Sequence, residues 1–270
     1  DRYYNRYKAM YNKYNNHMIL VNLNNKGGVG KTTNTIHFGA SLEKKGYKVL
    51  FIDCDSQCDL TYAVDVPEVN YTIVDFLKGS PKGEHSNFQL TAVTDNLHIL
   101  AGDPDFLASD YKATQLRDAL NNPIYKLREQ YDFIFIDVPP EKINPRNVSP
   151  MEMALMCADY FIVPIESQDF SIKNLDSFIN KAMELRKGNT NLKFLGFYFT
   201  NVLTTQKIFE EYYIPMREKY PNTCFKTYIR RDAEVIKATA ERMTIFEYNP
   251  LCRASEDYQR FTEELLERLK

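Results

Sequence analysis

Short, almost continuous apolar runs punctuate the chain at Ile19–Leu23, Val49–Ile52, Leu97–Leu100, Phe133–Ile136, Tyr160–Ile165 and Phe194–Phe199. Runs of this length without polar alternation predict strands buried on both faces, as in a parallel sheet covered by helices. Between them, Thr33–Lys45, Thr114–Leu120 and Ser171–Arg186 read as helical stretches. Ser149, Pro150 and Glu152 supply a helix start: a cap, a proline at the first helical position and a capping-box glutamate. The alternation predicts a doubly wound α/β domain with a mostly parallel sheet and helices on both faces. Its ligands are expected beyond the carboxyl ends of the strands. No internal repeat or low-complexity linker interrupts the pattern, so residues 18–270 read as one domain.

Residues 1–17 stand apart. They hold five tyrosines, four basic residues and one acid, with hardly an aliphatic side chain. Two readings fit: an extension ahead of a start at Met18, frayed or docked, or a short helix. For the helix, Tyr3, Tyr4, Tyr7, Met10, Tyr11 and Tyr14 would form one packing face.

Composition removes several classes of function. With 34 basic and 36 acidic residues the formal charge is −2, so a globally basic nucleic-acid binder is excluded and any DNA contact must come from a local patch. No apolar run reaches the roughly 18 residues that a membrane helix requires. The five cysteines contain no Cys-x-x-Cys and suggest a reducing, cytoplasmic setting rather than a disulfide scaffold.

The strongest chemical signal is Lys26-Gly27-Gly28-Val29-Gly30-Lys31-Thr32-Thr33, placed directly after the first predicted strand and opening a helix. Glycines let the backbone curl around phosphate, and the helix N-terminus adds positive potential. Lys31 is expected to reach the β- and γ-phosphates of ATP, and the Thr32 hydroxyl to ligate Mg2+. A second lysine, Lys26, just ahead of the glycines, makes the stretch resemble the deviant Walker A signature of the ParA/MinD family of P-loop ATPases. The resemblance implies that Lys26 reaches the phosphates of a partner's ATP in a homodimer. A second cation there would complete the charge stabilisation that phosphoryl transfer demands.

Further segments extend the resemblance over nearly everything from Met18 to Lys270. Asp53-Cys54-Asp55-Ser56-Gln57-Cys58-Asp59 is similar to the family's first switch, Asp-x-Asp-Pro-Gln-Gly-Asn. It departs from that pattern at Ser56, Cys58 and Asp59. The family assigns the position of Asp55 to orienting the attacking water. Cys54 and Cys58 read as small fillers at a strand end, since two thiols do not make a tetrahedral metal site. Tyr131–Asp137 followed by Val138-Pro139-Pro140 resembles the Walker B strand, with Asp137 holding Mg2+ through water. The second switch, Glu141–Pro150, is longer and more polar than usual. Asn201, in Thr200-Asn201-Val202, falls where the family reads adenine.

Three fates of this ATPase differ in their partners. A membrane-binding MinD type needs a cationic amphipathic terminal helix. Here Phe261, Leu265, Leu266 and Leu269 line one face, but Glu256, Asp257, Glu263, Glu264 and Glu267 make the other acidic. That acidity opposes anionic lipid and favours docking on the core. An iron–sulfur relative needs a cluster pattern that Cys157, Cys224 and Cys252 do not show. The partition type remains. It implies a cytoplasmic ATP-dependent homodimer, nucleoid-associated when ATP-bound, that binds DNA nonspecifically and is reset by a centromere-binding ParB-like adaptor. The alternative is a positioning ATPase with a protein or membrane cargo. Residues 226–242 hold five basic and three acidic side chains. Arg230, Arg231 and Lys237 are therefore either phosphate contacts or part of a solvated face. The 17 residues ahead of Met18 are too few for the helix-turn-helix domain of larger ParA proteins.

Overall fold

The computed structural model describes residues 17–79, 88–141, 147–166, 172–204 and 207–270. The tyrosine-rich segment 1–16 and residues 142–146 of the second switch lie outside the described residues. Seven strands form one sheet: β1 (Met18–Asn22), β2 (Val49–Asp53), β3 (Thr91–Ala92), β4 (Leu97–Leu100), β5 (Phe133–Asp137), β6 (Tyr160–Ile165) and β7 (Lys193–Phe199). Their order is β3-β4-β2-β5-β1-β6-β7. Every pairing is parallel except the edge pair β3–β4. The two-residue β3 escaped the hydrophobic pattern because its residues are partly or fully exposed.

The unbroken apolar character of the strands has the expected cause. Ile19 and Val21, Leu50 and Ile52, and Ile134 and Ile136 face one apolar cluster. Their neighbours Met18 and Leu20, Val49 and Phe51, and Phe133 and Phe135 face the other. Among helices of eight residues or more, α1 (Lys31–Lys44), α5 (Ala233–Ala240) and α6 (Arg253–Arg268) cover the second face. The first face is covered by α2 (Pro150–Cys157), α3 (Ile172–Glu184) and α4 (Lys207–Lys219). The predicted cap at the start of α2 is present, with Ser149 Oγ accepting from Glu152 N at 3.1 Å.

α1 is pressed unusually close to the sheet. A Cβ on Gly39 would lie 2.3 Å from the Phe51 ring, so only glycine allows this approach. On the other side of α1, Phe38 stacks on Phe261 at 4.1 Å and Phe261 on Phe225 at 4.7 Å, all three fully buried. Polar seams align α1 with α6: Ser41 Oγ lies 2.7 Å from Thr262 Oγ1, and Tyr258 donates to Asn34 Oδ1 at 2.8 Å. The terminal helix is thus docked through Phe261, Leu265, Leu266 and Leu269, as its apolar face predicts. Two acids of its polar face are engaged by the body of the domain: Asp257 is buried, and Glu264 accepts from the Lys226 and Thr227 amides at 2.8 Å each.

Gly39→Ala tests the seating of α1. The added methyl must displace α1 or the Phe51 ring, and overpacking of this kind costs about 1–3 kcal/mol. Urea denaturation should show a lower midpoint with an unchanged slope.

Candidate functional site

β1 is the point where the strand order turns, since β5 pairs on one side of it and β6 on the other. Such a switch point opens a crevice at the carboxyl ends of the strands. Lys26–Thr33 leaves β1 there. Gly28 and Gly30 both have φ of 77°, a left-handed conformation that glycine adopts without strain. Gly30 is also the N-cap of α1 and provides no side-chain cap, and the first turn of α1 holds no acid. The first amide donors of that helix are therefore left to a ligand, and the helix dipole favours an anion.

A buried polar network fixes the loop from behind. Asn22 Nδ2 donates to the Lys31 carbonyl at 3.1 Å, and Tyr198 OH donates to Asn22 Oδ1 at 3.2 Å. Asn34 Nδ2 reaches Tyr198 OH and Thr200 Oγ1, each at 3.0 Å. These side chains carried no motif and were missed in the sequence. A buried asparagine one turn into α1 was the available signal.

The two lysines of the loop occupy opposite environments. Lys31 is buried, and its Nζ donates to the Lys26 carbonyl at 3.3 Å. Burial pushes its ammonium below the usual lysine range, while Asp137 and Asp55 push back. The Lys26 side chain is 45 % exposed, 3.8 Å from the Glu166 carboxylate at the end of β6. Glu166 also accepts from Asn201 Nδ2 at 2.8 Å. The residue expected to read adenine and the signature lysine thus share one carboxylate. Asn201 itself is exposed, with φ of 54°.

Opposite Lys31, three carboxylates gather at the ends of β2 and β5. Thr32 Oγ1 donates to Asp137 Oδ2 at 2.6 Å. Asp137 Oδ1 is buried with no hydrogen-bond partner among the described residues. Burial pushes this carboxyl from its ordinary 3.8 to about 7, opposed by the Thr32 hydrogen bond and by Lys31. A hydroxyl with its proton committed to Asp137 keeps its lone pairs for a cation, and a bare buried oxygen beside it can accept from the cation's water. Thr32 and Asp137 therefore fit Mg2+, which when bound supplies positive charge to the phosphates.

Asp53 is the anchor of the first switch. It accepts from Thr61 N at 2.9 Å, Thr61 Oγ1 at 2.7 Å and Asp55 N at 3.1 Å. Burial nevertheless raises its carboxyl to about 6. Asp55 is buried beside Lys31 and takes the Gln57 amide at 2.9 Å. The turn closes on Cys58, whose φ of 56° explains why the family pattern has glycine there. Cys54 is buried with its thiol pushed well up, an inert filler as expected.

The three candidate DNA residues separate. Arg230 donates to the buried Asp257 through Nε at 2.9 Å and Nη2 at 2.6 Å, and to Glu256 at 3.0 Å. These bonds raise its guanidinium further. The Arg230 fork is thus engaged by two carboxylates and would have to leave the buried Asp257 to reach phosphate. Arg231 stays exposed, and Lys237 is exposed but paired with Glu234 at 2.8 Å.

The AAA domain family matches residues 17–194, and the Treponema pallidum chromosome-partitioning ATPase Soj is 27 % identical over 92 % of this chain and 97 % of its own. The chain belongs to the ParA/MinD family of ATPases within that domain class. The septum site-determining protein MinD of Pyrococcus horikoshii, solved with Mg-ADP, superposes with a TM-score of 0.70. It is 25 % identical, covering 92 % of this chain and 95 % of its own. A plasmid partition protein of Borrelia burgdorferi shares the fold at a TM-score of 0.68 and 22 % identity, over 93 % and 98 % of the two chains. As a family member the protein is an ATPase using ATP and Mg2+.

The Asp137 shift has a definite sign. A carboxyl whose folded pKa lies above its unfolded one stabilises the fold fully below the unfolded value. That contribution is lost as pH rises through the folded value, here between about 4 and about 7. His37, held down to about 3 by burial, works in the opposite sense, so the wild-type slope is a sum. Asp137→Asn isolates the first contribution. Without nucleotide, its stability measured by urea between pH 4 and 7 should fall less steeply than wild type, by up to about 1.4 kcal/mol per pH unit.

Proposed function

We propose that this ATPase is a DNA-partition motor of the Soj type. It closes as a homodimer around two ATP molecules, binds DNA nonspecifically, and lets go after hydrolysis stimulated by a centromere-binding adaptor. The observation that carries the reading is the contrast between the two loop lysines. Lys31 is buried against its own carboxylates, whereas Lys26 stands at the mouth of the loop with its ammonium in reach of solvent. A cation placed there can serve a phosphate presented by another subunit. The full-length likeness to a chromosome-partitioning ATPase supports the same reading.

In this scheme Lys31 and the open start of α1 hold the phosphates, and Thr32 and Asp137 hold Mg2+. Lys26 leaves Glu166 for the partner's phosphates, and Asn201 leaves it for adenine. Asp55, fixed by the Gln57 amide and seated beside Lys31, orients water. DNA is met by Arg231, with Lys237 beside it, through phosphate contacts that carry no sequence information. A lipid cargo is disfavoured because the apolar face of α6 is buried against α1. Action in the cytoplasm, on the nucleoid when ATP-bound, belongs to this proposal.

Lys26→Ala should bind ATP but fail to form the ATP-dependent dimer, since a binding contact to the partner is lost. Asp55→Ala should do the reverse, accumulating as a dimer that turns over slowly, because Asp55 acts on the transition state. Light scattering beside phosphate release reads both, and normal dimerisation by Lys26→Ala would overturn the sandwich.

Arg231→Ala should weaken retention of ATP-loaded protein on duplex DNA and reduce the salt slope by about one per arginine that contacts phosphate. Arg230→Ala should instead lower the urea midpoint. Undiminished DNA retention by Arg231→Ala would place the DNA surface elsewhere.

A further inference from the structure

Arg242 occupies a position built for glycine. It follows α5, where Arg242 N donates to Thr239 O at 3.1 Å and Met243 N to Ala238 O at 2.9 Å. This pair of bonds is the Schellman ending, in which the residue after the cap takes a left-handed conformation and is usually glycine. Arg242 has φ of 55°. A long β-substituted side chain is strained there, and nothing in the helix ending itself requires it.

The side chain has its contacts elsewhere. Nε donates to the Tyr62 carbonyl at 2.8 Å, the guanidinium lies 4.9 Å over the Tyr62 ring, and Nη1 is 3.2 Å from Asp65 Oδ1. One planar group thus grips the far end of the short helix Asp59–Ala63 by a hydrogen bond, a cation–π contact and an ion pair. The near side of that helix is tied to the nucleotide site, since Thr61 gives both its amide and its hydroxyl to Asp53. Thr61 Oγ1 in turn accepts the Gly102 amide at 2.8 Å. Asp53 holds the Asp55 amide. The helix that follows the first switch is therefore held from two sides at adjacent residues, Thr61 by Asp53 and Tyr62 by Arg242.

We propose that Arg242 is a positioning residue for ATP hydrolysis. Its clamp on Tyr62 and Asp65 fixes the helix Asp59–Ala63, and through Thr61 and Asp53 it keeps Asp55 set toward the attacking water. It also binds the first switch to the end of α5, so the switch and the surface carrying Lys237 shift together. The inference rests on the assignment of Asp55 to water.

Arg242→Gly is the decisive variant, because glycine suits the backbone and removes only the clamp. Its urea midpoint should equal or exceed that of wild type. Steady-state ATP turnover should fall by about fivefold in kcat with KM within about twofold, the signature of an interaction needed in the transition state and not for binding. Arg242→Lys should recover part of kcat, since an ammonium can pair with Asp65 but cannot also stack flat on Tyr62 and donate to its carbonyl. Tyr62→Ala, which keeps the carbonyl acceptor, should lower kcat by less. The double variant Arg242→Gly/Tyr62→Ala should fall short of the product of the two, as expected for partners in one contact. Unchanged kcat in a folded Arg242→Gly variant would overturn the clamp, as would KM rising in step with the loss. Should Arg242→Gly fail to fold, Tyr62→Ala decides by the same criteria. Asp55→Ala run alongside separates the two failures: wild-type turnover there sinks the water assignment, whereas normal Arg242→Gly turnover sinks only the clamp.

Discussion

A methyl group at Gly39 would lie only 2.3 Å from the Phe51 ring, and that close approach sets the height of α1 above the sheet. The phosphate loop is the lead-in to α1, so its position is determined by the same contact. Phe261 of α6 stacks on Phe38 of α1 and holds the helix from outside, and Tyr258 fixes its rotation through Asn34. Because Asn34 also bonds Tyr198 and Thr200, the loop and the end of β7 are set by one buried side chain. A packed core resists small displacement. The phosphate site therefore inherits the rigidity of the sheet, while its partners on loops do not.

On that rigid base the structure gathers more negative charge than it neutralises. Asp53, Asp55 and Asp137 are buried beside Lys31, which alone cannot balance them. Burial raises Asp53 and Asp137 and lowers Lys31, so each group is driven toward its neutral form. Such a cluster is costly until a cation arrives. Asp137 displays the deficit most directly, with one oxygen on Thr32 and the other on nothing among the described residues. Mg2+ held by Thr32 and Asp137 would supply the missing positive charge, and would so couple nucleotide binding to the stability of the first switch.

Much of this was legible in the sequence, and for physical reasons. Strands buried on both faces leave a continuous apolar run, and β2, β4, β5 and β6 were found to within a residue or so. The phosphate loop was legible because curled backbone, lysine and hydroxyl must occur at fixed spacing. The missed features depend on long-range geometry. Nothing local marks Asn22, Asn34, Tyr198 and Tyr258 as one network, because they come from four separate elements. Nor could spacing show that Asp257 and Glu264, on the polar side of an amphipathic helix, face a second layer of chain. The same blindness made Arg230 look available when Asp257 had claimed it.

The fate of the basic segment bears on how such a protein can hold DNA at all. Of its five cations, Arg230 is paired with Asp257, Lys237 with Glu234 and Arg242 with Asp65. Each pair lowers the positive potential that a phosphate backbone would meet. On the proposed reading, the exposed remainder of the segment, Arg231 and Lys226, would give one chain only a few phosphate contacts, and affinity built from counterion release scales with their number. A single copy would then bind weakly at physiological salt. Two copies on one rigid body double the contacts, and the second set engages at the effective concentration imposed by the first. In the proposed cycle the ATP dimer holds DNA and the monomer does not, without any residue changing its chemistry. On that proposal, sparse charge on each chain would make DNA retention depend on the nucleotide.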